Sequence, residues 1–427
     1  EFMIRLTKFD NGLTLVTGNY PSFRSVAVGF WIGAGSAFET EAENGISHFT
    51  EHVMFKGTAD LTAAQIAEKF EDLGANFNAF TGKEATCFYF KCIDEMTTDC
   101  FGLLSHILYG SLFDDGELDK ERKVIAEEIS MTADEPEDIC YDLLAERRYE
   151  GTGLARTILG PTENVMRFKG DDVRDFTRRM YTPDNTVISM VGNITHERAT
   201  ELVEKYVLPV CGNGHCEKRY APAASGGGFG KCEKDFEQVN IAIGYPSLPY
   251  DDKATSVQSI ISFCFGTGMS SRLFQRLRER QGLVYNVYTS CSSYKNNGNF
   301  GIYVNTSGKN TDKAISSVAE EIKLLVSGGL TEAEIARAKM QLKSNMLFGI
   351  ENILSVMSVC GKYALYTGKP YDIDESIRDV ESVTADDVMA FCSSGVFDSS
   401  VSVAYVGKKR FAEGKDIYAD LIAALGR

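Results

Sequence analysis

Residues 73–81, LGANFNAFT, match residues 281–289, QGLVYNVYT, in their glycine, aromatic, asparagine and threonine positions, 208 residues further along the chain. Each stretch follows a charged segment with helical spacing and alternates as a half-buried strand does. A second pair, residues 186–192 and 400–407, TVISMVG and SVSVAYVG, ends each half with a similar apolar strand. The shared positions favour an internal duplication over chance similarity between apolar strands.

The composition of the chain changes once, near its middle. Residues 211–215 and 221–228 are rich in glycine and small residues, which is typical of a linker. Helices and strands do not alternate regularly enough for a doubly wound parallel sheet. We therefore predict an α+β fold with two homologous α/β-layer domains, each a mixed or antiparallel sheet packed with helices, in a clamshell-like arrangement. The predicted boundaries are 1–215 for the first domain, 216–230 for the linker and 231–427 for the second domain.

The overall composition excludes several classes of protein. The chain has 427 residues, with 44 Lys and Arg against 60 Asp and Glu, for a formal charge of −16. Net charge of this sign disfavours binding to nucleic acid or to anionic membranes. The sequence contains no apolar run of the ~18 residues that a spanning helix needs, no secretory signal, and eleven cysteines without a Cys-x-x-Cys pair. We expect a cytoplasmic protein that contacts neither nucleic acid nor a membrane.

The motif with the clearest chemistry is HFTEH at residues 48–52, and the whole chain has five histidines. Residues 46–55 have the spacing of a helix, so His48 and His52, at i and i+4, lie one above the other. Two imidazoles placed in this way can bind one zinc ion. Glu51 lies beside them and can take a proton from water, in the inverted order His-x-x-Glu-His. The alternative is a surface helix with two histidines and an ion pair.

A catalytic zinc site usually takes a third protein ligand. Residues 119–129 have helical propensity and charge spacing. Glu121 and Glu128 are seven residues apart, so they share the face that carries the apolar residues. We predict Glu128 as the third ligand and Glu121 as a carboxylate that orients a ligand or the water. An exposed acidic helix, the alternative, explains Glu127 well and Glu128 poorly.

These motifs together resemble the pitrilysin family of zinc peptidases. The resemblance is carried by HFTEH at 48–52, VMFKGT at 53–58, and the glutamates Glu121 and Glu128 about 75 residues further on. It runs through both halves and is closest to the bacterial processing-protease branch, which is similar to mitochondrial processing peptidase. It implies a zinc-dependent endopeptidase with one Zn²⁺ per chain, held by His48, His52 and Glu128, with Glu51 as general base.

The resemblance also implies how substrate is held. In this family the strand matched by residues 73–81 is a sheet edge that pairs with the peptide, so Phe55, Asn78 and Ala79 are expected to contact substrate. Addition of a peptide to an open edge recognises main chain and tolerates many sequences. From the residues alone, this stretch is an ordinary strand.

The second half lacks a metal motif. Residues 256–267, where the repeat would place one, contain no His, Asp or Glu. The resemblance implies that Arg278 holds a substrate carbonyl and that Tyr285 donates its hydroxyl to the oxyanion. From the residues alone, the favoured description is a surface arginine on a charged helix and a half-buried tyrosine on a strand.

The expected function is hydrolysis of unfolded peptides or presequence-like segments inside a closed chamber, by a homodimer. Glu51, Glu121, Arg278 and Tyr285 are the predicted catalytic residues. Two alternatives remain at this stage: a non-catalytic scaffold of the same family, and a subunit that needs an unlike partner. The family's scaffold members typically have broken zinc motifs, whereas the motif at 48–52 is intact.

Overall fold

The computed structural model describes residues 4–224, 226–397, 401–408 and 417–424. The chain forms two compact units. The first unit consists of Glu1–Ile129, Thr157–Arg219 and Leu347–Asp372, and the second of Ser130–Arg156, Tyr220–Met346 and Ile373–Arg427. The division near residue 220 lies within the predicted linker. Two segments cross this division. Residues 130–156, from the first half of the sequence, belong to the second unit, and residues 347–372, from the second half, belong to the first unit.

Strands and helices cover most of the described residues. The strands are β1 Ile4–Lys8, β2 Thr14–Asn19, β3 Ser25–Ile32, β4 Asn76–Thr81, β5 Thr86–Ile93, β6 Thr186–Gly192, β7 Gly228–Glu233, β8 Gln238–Ser247, β9 Val284–Ser293, β10 Gly298–Ser307 and β11 Ser402–Gly407. The helices are α1 Ile46–Met54, α2 Ala63–Asp72, α3 Thr97–Gly110, α4 Asp115–Asp134, α5 Pro136–Arg148, α6 Thr162–Arg167, α7 Gly170–Met180, α8 His196–Tyr206, α9 Thr255–Ser262, α10 Thr311–Gly328, α11 Glu332–Gly349, α12 Ile353–Thr367, α13 Ile373–Ser382, α14 Ala385–Ser393 and α15 Ile417–Ala424. Among the described helices, none combines the length and apolar character needed to cross a membrane.

The two sheets confirm the predicted duplication and the α+β fold. The first unit has the strand order β1-β2-β6-β3-β5-β4, and the second has β7-β11-β8-β10-β9. In each sheet the late strand, β6 or β11, runs parallel to one neighbour and antiparallel to the other. The matched stretches 73–81 and 281–289 contribute the edge strands β4 and β9. Of the second strand pair, Ser400 lies outside the described residues.

The first sheet is covered on both faces, which explains its continuous apolar strands. One face packs against the buried side chains of α1, α3 and α7. The other face packs against α12 through a separate apolar cluster that includes Trp31, Val187 and Met357. Every residue of β6 is buried, as expected for a strand between two layers.

Close approach of α12 to this sheet depends on a small residue. A Cβ atom at Gly361 would lie 2.2 Å from Nε1 of Trp31, well inside van der Waals contact. The hydroxyl of Ser189, on β6, donates to the carbonyl of Met357 at 2.9 Å. The segment 347–372 is therefore an integral layer of the first unit.

In the second unit, α5 covers one face of the sheet and anchors the end of the predicted linker. The guanidinium of Arg148, which is buried, donates to the carbonyls of Ala224 at 3.0 Å and Gly298 at 3.4 Å. Asn297 donates to the carbonyl of Pro222 at 2.9 Å. Residues 228–230 of the predicted linker begin strand β7. The glycine-rich stretch is thus fixed to the second unit by side-chain donors.

Candidate metal centre

Helix α1 presents the two histidines as its sequence predicts. Ile46, Phe49 and Val53 form its buried stripe. His48 and His52 lie on the adjacent face, with their ring centroids 4.6 Å apart. The stripe fixes the rotation of the helix about its axis, and the i,i+4 spacing then brings the imidazoles together.

Helix α4 brings the third predicted ligand to the same place. Leu118 and Ile125 are fully buried on its inner face. Oε2 of Glu128 lies 3.4 Å from Nε2 of His52 and 3.7 Å from Nε2 of His48. The ligand atoms of the three residues all lie within 4.8 Å of one another. The two imidazoles and the carboxylate therefore converge on one small volume.

The surroundings of the two histidines suit a metal ion. Burial, with a contribution from His52, lowers the pKa of His48 to about 4, so this imidazole is neutral near pH 7. Nδ1 of His52 lies 3.4 Å from Oε2 of Glu121. A hydrogen on Nδ1, donated to this carboxylate, would leave Nε2 as the nitrogen that binds a metal ion. Two imidazole nitrogens and a carboxylate oxygen form a donor set that fits zinc.

Glu121 lies where the sequence placed it, beside a ligand, and has a partner that the sequence analysis missed. Its Oε1 accepts a hydrogen bond from Nζ of Lys56 at 2.7 Å, while its Oε2 faces His52. The Lys56 ammonium thus fixes the carboxylate that orients an imidazole. In contrast, Nδ1 of His48 is buried without a hydrogen-bond partner among the described residues.

Glu51 lies beside the cluster in a partly dry environment. Burial raises the pKa of its carboxyl group. The hydrogen bond from Thr81 and the neighbouring His52 act in the opposite direction and lower this pKa. The hydroxyl of Thr81, on β4, donates to Oε2 of Glu51 at 2.5 Å. The other carboxylate oxygen of Glu51, Oε1, is therefore available to take up and release a proton. No sequence signal identified Thr81, because 30 residues separate it from Glu51.

An open cavity of about 340 Å³ adjoins these groups. The cavity is lined by His52, by its neighbours Glu51 and Glu121, and by the predicted substrate contacts Phe55, Asn78 and Ala79. The other lining residues are Lys56, Ala63, Ile66, Ala67 and Phe77. Among the described strands, β4 pairs with β5 alone and is the edge of its sheet. The structure therefore brings the predicted contacts to the cavity and shows that β4, which carries Asn78 and Ala79, is an edge strand.

The amide of Ala79 on this edge already has a local acceptor. It donates to Oδ1 of Asn78 at 2.8 Å. A bond of this kind satisfies a main-chain donor that a neighbouring strand would otherwise bind.

The two predicted residues of the second half lie on the surface of the second unit. Arg278 is in the π-helical turn Phe274–Arg280, and its guanidinium carbon lies 5.0 Å from the ring centre of Phe274. Tyr285, on β9, is 59% exposed. Their catalytic roles stay predictions.

Comparison with known proteins identifies both halves of the chain. Residues 14–162 match the family model "Insulinase (Peptidase family M16)", and residues 167–342 match "Peptidase M16 inactive domain". A Bacillus subtilis protein named "Uncharacterized zinc protease YmxG" is 37% identical over 386 residues, which are 90% of this chain and 94% of that protein. A "zinc protease" of Streptomyces coelicolor is 33% identical over 91% of this chain and 86% of that protein.

The solved structures agree on the fold. A crystal structure of a peptidase M16 inactive domain from Pseudomonas fluorescens superposes with a TM-score of 0.89 at 18% identity, covering 95% of this chain and 98% of that one. The family model matched by residues 167–342 is described as an inactive domain. This description fits the absence of His, Asp and Glu from residues 256–267.

Replacement of Glu128 by glutamine is expected to weaken zinc binding by at least about a hundredfold, because it removes the one anionic donor of the cluster. Glu127→Gln is the matched control, since Glu127 directly precedes Glu128 on α4 and is exposed. Competition with a chromophoric chelator measures both dissociation constants. Equal zinc affinity of the two variants would remove Glu128 from the site.

Proposed function

The chain belongs to the M16 family of peptidases, the insulinase or pitrilysin family, and we propose that it is a zinc-dependent endopeptidase. The observation that carries the proposal is the convergence of His48, His52 and Glu128 on one volume, with Glu51 beside it. The relatives named zinc proteases support the choice of metal. We propose one zinc ion per chain.

The residues have separate tasks in peptide hydrolysis. His48, His52 and Glu128 would hold a zinc ion, which would supply Lewis acidity toward water and toward the scissile carbonyl. Glu51 takes a proton from the attacking water at its free carboxylate oxygen and passes it to the leaving amine. Thr81 holds the other oxygen, so the carboxylate keeps one orientation through both transfers. Glu121 keeps His52 in the tautomer that binds metal.

The proposed substrates are unfolded peptides or presequence-like segments, enclosed in a chamber during turnover. The open edge of β4 supports extended substrates, because an edge strand recognises main chain before side chains. Phe55 and Phe77 line the cavity next to Glu51, which supports an apolar substrate side chain there.

Glu51→Gln is expected to keep zinc and to lower kcat by at least about a hundredfold, because an amide of the same shape cannot accept the proton. Hydrolysis of a mixed peptide library, mapped by mass spectrometry, measures the loss. The same assay with a zinc chelator separates metal-dependent cleavage from contamination, and Glu127→Gln serves as the control.

Two results of that assay would contradict the proposal. Normal cleavage by Glu51→Gln would exclude Glu51 as the base. A wild-type chain that binds zinc and cleaves nothing alone would favour the scaffold or the partner-dependent subunit.

We propose that Arg278 and Tyr285 bind the peptide and the oxyanion, respectively. Both are exposed, and Tyr285 is 59% exposed, so Tyr285→Phe is not expected to disturb the packing of the second unit. We expect it to lower kcat by about a hundredfold, the typical effect of losing an oxyanion donor, with zinc content unchanged. An unaltered kcat would exclude that role.

We also propose that the protein acts as a homodimer in the cytoplasm of a bacterium, with peptides as its partners and without binding nucleic acid or membranes. The net charge of −16 disfavours binding to nucleic acid and to anionic membranes, and the bacterial relatives support a bacterial source. Sedimentation velocity of the purified chain tests the assembly, and a monomer at all concentrations would contradict the dimer.

A further inference from the structure

Helix α1 lacks a capping side chain of its own. Its N-cap residue is Gly45, with φ of 101°. Glycine has no side chain that could accept a hydrogen bond from the amides of the first turn. Glu39, which follows the 3-10 turn Ser36–Phe38, takes this role from outside the helix. Its Oε2 accepts from the amide of Gly45 and its Oε1 from the amide of Ser47, both at 2.8 Å.

The Glu39 carboxylate is deeply buried, and both of its oxygens accept hydrogen bonds. Its residue is 3% exposed, and Nδ2 of Asn44 donates to Oε2 as a third bond, at 2.9 Å. Among the described residues no cation pairs with it. Burial raises the pKa of this carboxyl group, whereas the bonds from Asn44, Ser47 and Gly45 lower it. These donors and the positive end of the α1 dipole therefore offset part of the cost of burial. They also tie the carboxyl group to the end of the helix.

The backbone around this end leaves little room for movement. Asn44 also donates to the carbonyl of Thr157 at 2.8 Å. A Cβ atom at Gly45 would lie 2.6 Å from the carbonyl oxygen of Leu159. The first turn of α1 is thus held by Glu39 on one side and by the loop at 157–159 on the other.

Position of this turn matters to one metal ligand in particular. His48 follows Ser47 directly, and its Nδ1 has no hydrogen-bond partner in the described part of the chain. His52 is different, because Glu121 fixes its ring. The direction of the His48 imidazole therefore depends on its backbone and packing, and Glu39 sets that backbone.

We propose that Glu39 is a positioning residue of the metal centre: through the amides of Gly45 and Ser47 it fixes the first turn of α1 and, with it, the direction of His48. The proposal rests on the proposed function only in requiring that the cluster of His48, His52 and Glu128 binds a divalent metal ion. It does not require that the protein cleaves peptides.

The test compares Glu39→Gln with Glu41→Gln, an exposed glutamate of the same loop. A glutamine of the same shape can accept at one position only, and its NH₂ group then faces an amide donor. We expect Glu39→Gln to weaken zinc binding about tenfold, in the range typical of residues that orient metal ligands. We also expect it to change the visible absorption of the cobalt-substituted protein, which reports coordination geometry. Glu41→Gln is expected to match wild type in both measurements.

Circular dichroism establishes that each variant is folded before these measurements. Wild-type zinc affinity together with an unchanged cobalt spectrum in folded Glu39→Gln would overturn the proposal. If that variant does not fold, Asn44→Ala removes one of the three donors to Glu39 and is expected to weaken zinc binding about threefold, as a partial form of the same effect. Unchanged affinity there would overturn the proposal equally.

The outcome is separable from that for the proposed function. Wild-type protein that binds zinc but cleaves no peptide overturns the peptidase and leaves the Glu39 comparison intact. Wild-type protein that binds no divalent ion overturns both.

Discussion

Two imidazoles and one carboxylate have to direct their lone pairs into one volume, and the rest of the first unit is arranged around that requirement. The ligand atoms lie within 4.8 Å of one another, which is possible only if α1 and α4 keep a fixed distance and rotation. Ile46 and Phe49 on α1, with Leu118 and Ile125 on α4, supply that fixation by burial. Apolar packing without polar atoms at these positions therefore determines the geometry of a polar site.

Local periodicity explains why much of this site is readable in the sequence. An i,i+4 pair on a helix and an i,i+7 pair on another require no knowledge of tertiary structure, so His48, His52, Glu121 and Glu128 could be placed on the correct faces. The capping box that begins α2 is equally local: the Thr62 hydroxyl accepts from the amide of Gln65. Internal repetition then indicated two units of one fold, since two similar strands must occupy similar places in their sheets.

Interactions between distant residues were not readable in the same way. Thr81 reaches Glu51 from 30 positions away, and Lys56 reaches Glu121 across a larger gap. Neither pair has a spacing that a helix or strand imposes. The placement of α12 in the first unit has the same character, because it depends on the fit of Gly361 against Trp31. A hydrophobic helix pattern predicts burial of such a helix and leaves open which sheet it covers.

The carboxylates of the first unit differ in which donors already bind them, and this difference supports Glu128 as the proposed metal ligand. Glu39 is bound by amides, Glu121 by Lys56 and His52, and Glu51 by Thr81. Glu128 has no ion-pair partner in the described part of the chain other than the two imidazoles, and its side chain is 42% exposed. A carboxylate whose two oxygens both accept from fixed donors has to give up part of that bonding to bind a metal ion. Glu128 has nothing of this kind to lose, which favours it over Glu39 and Glu121 as the proposed metal ligand.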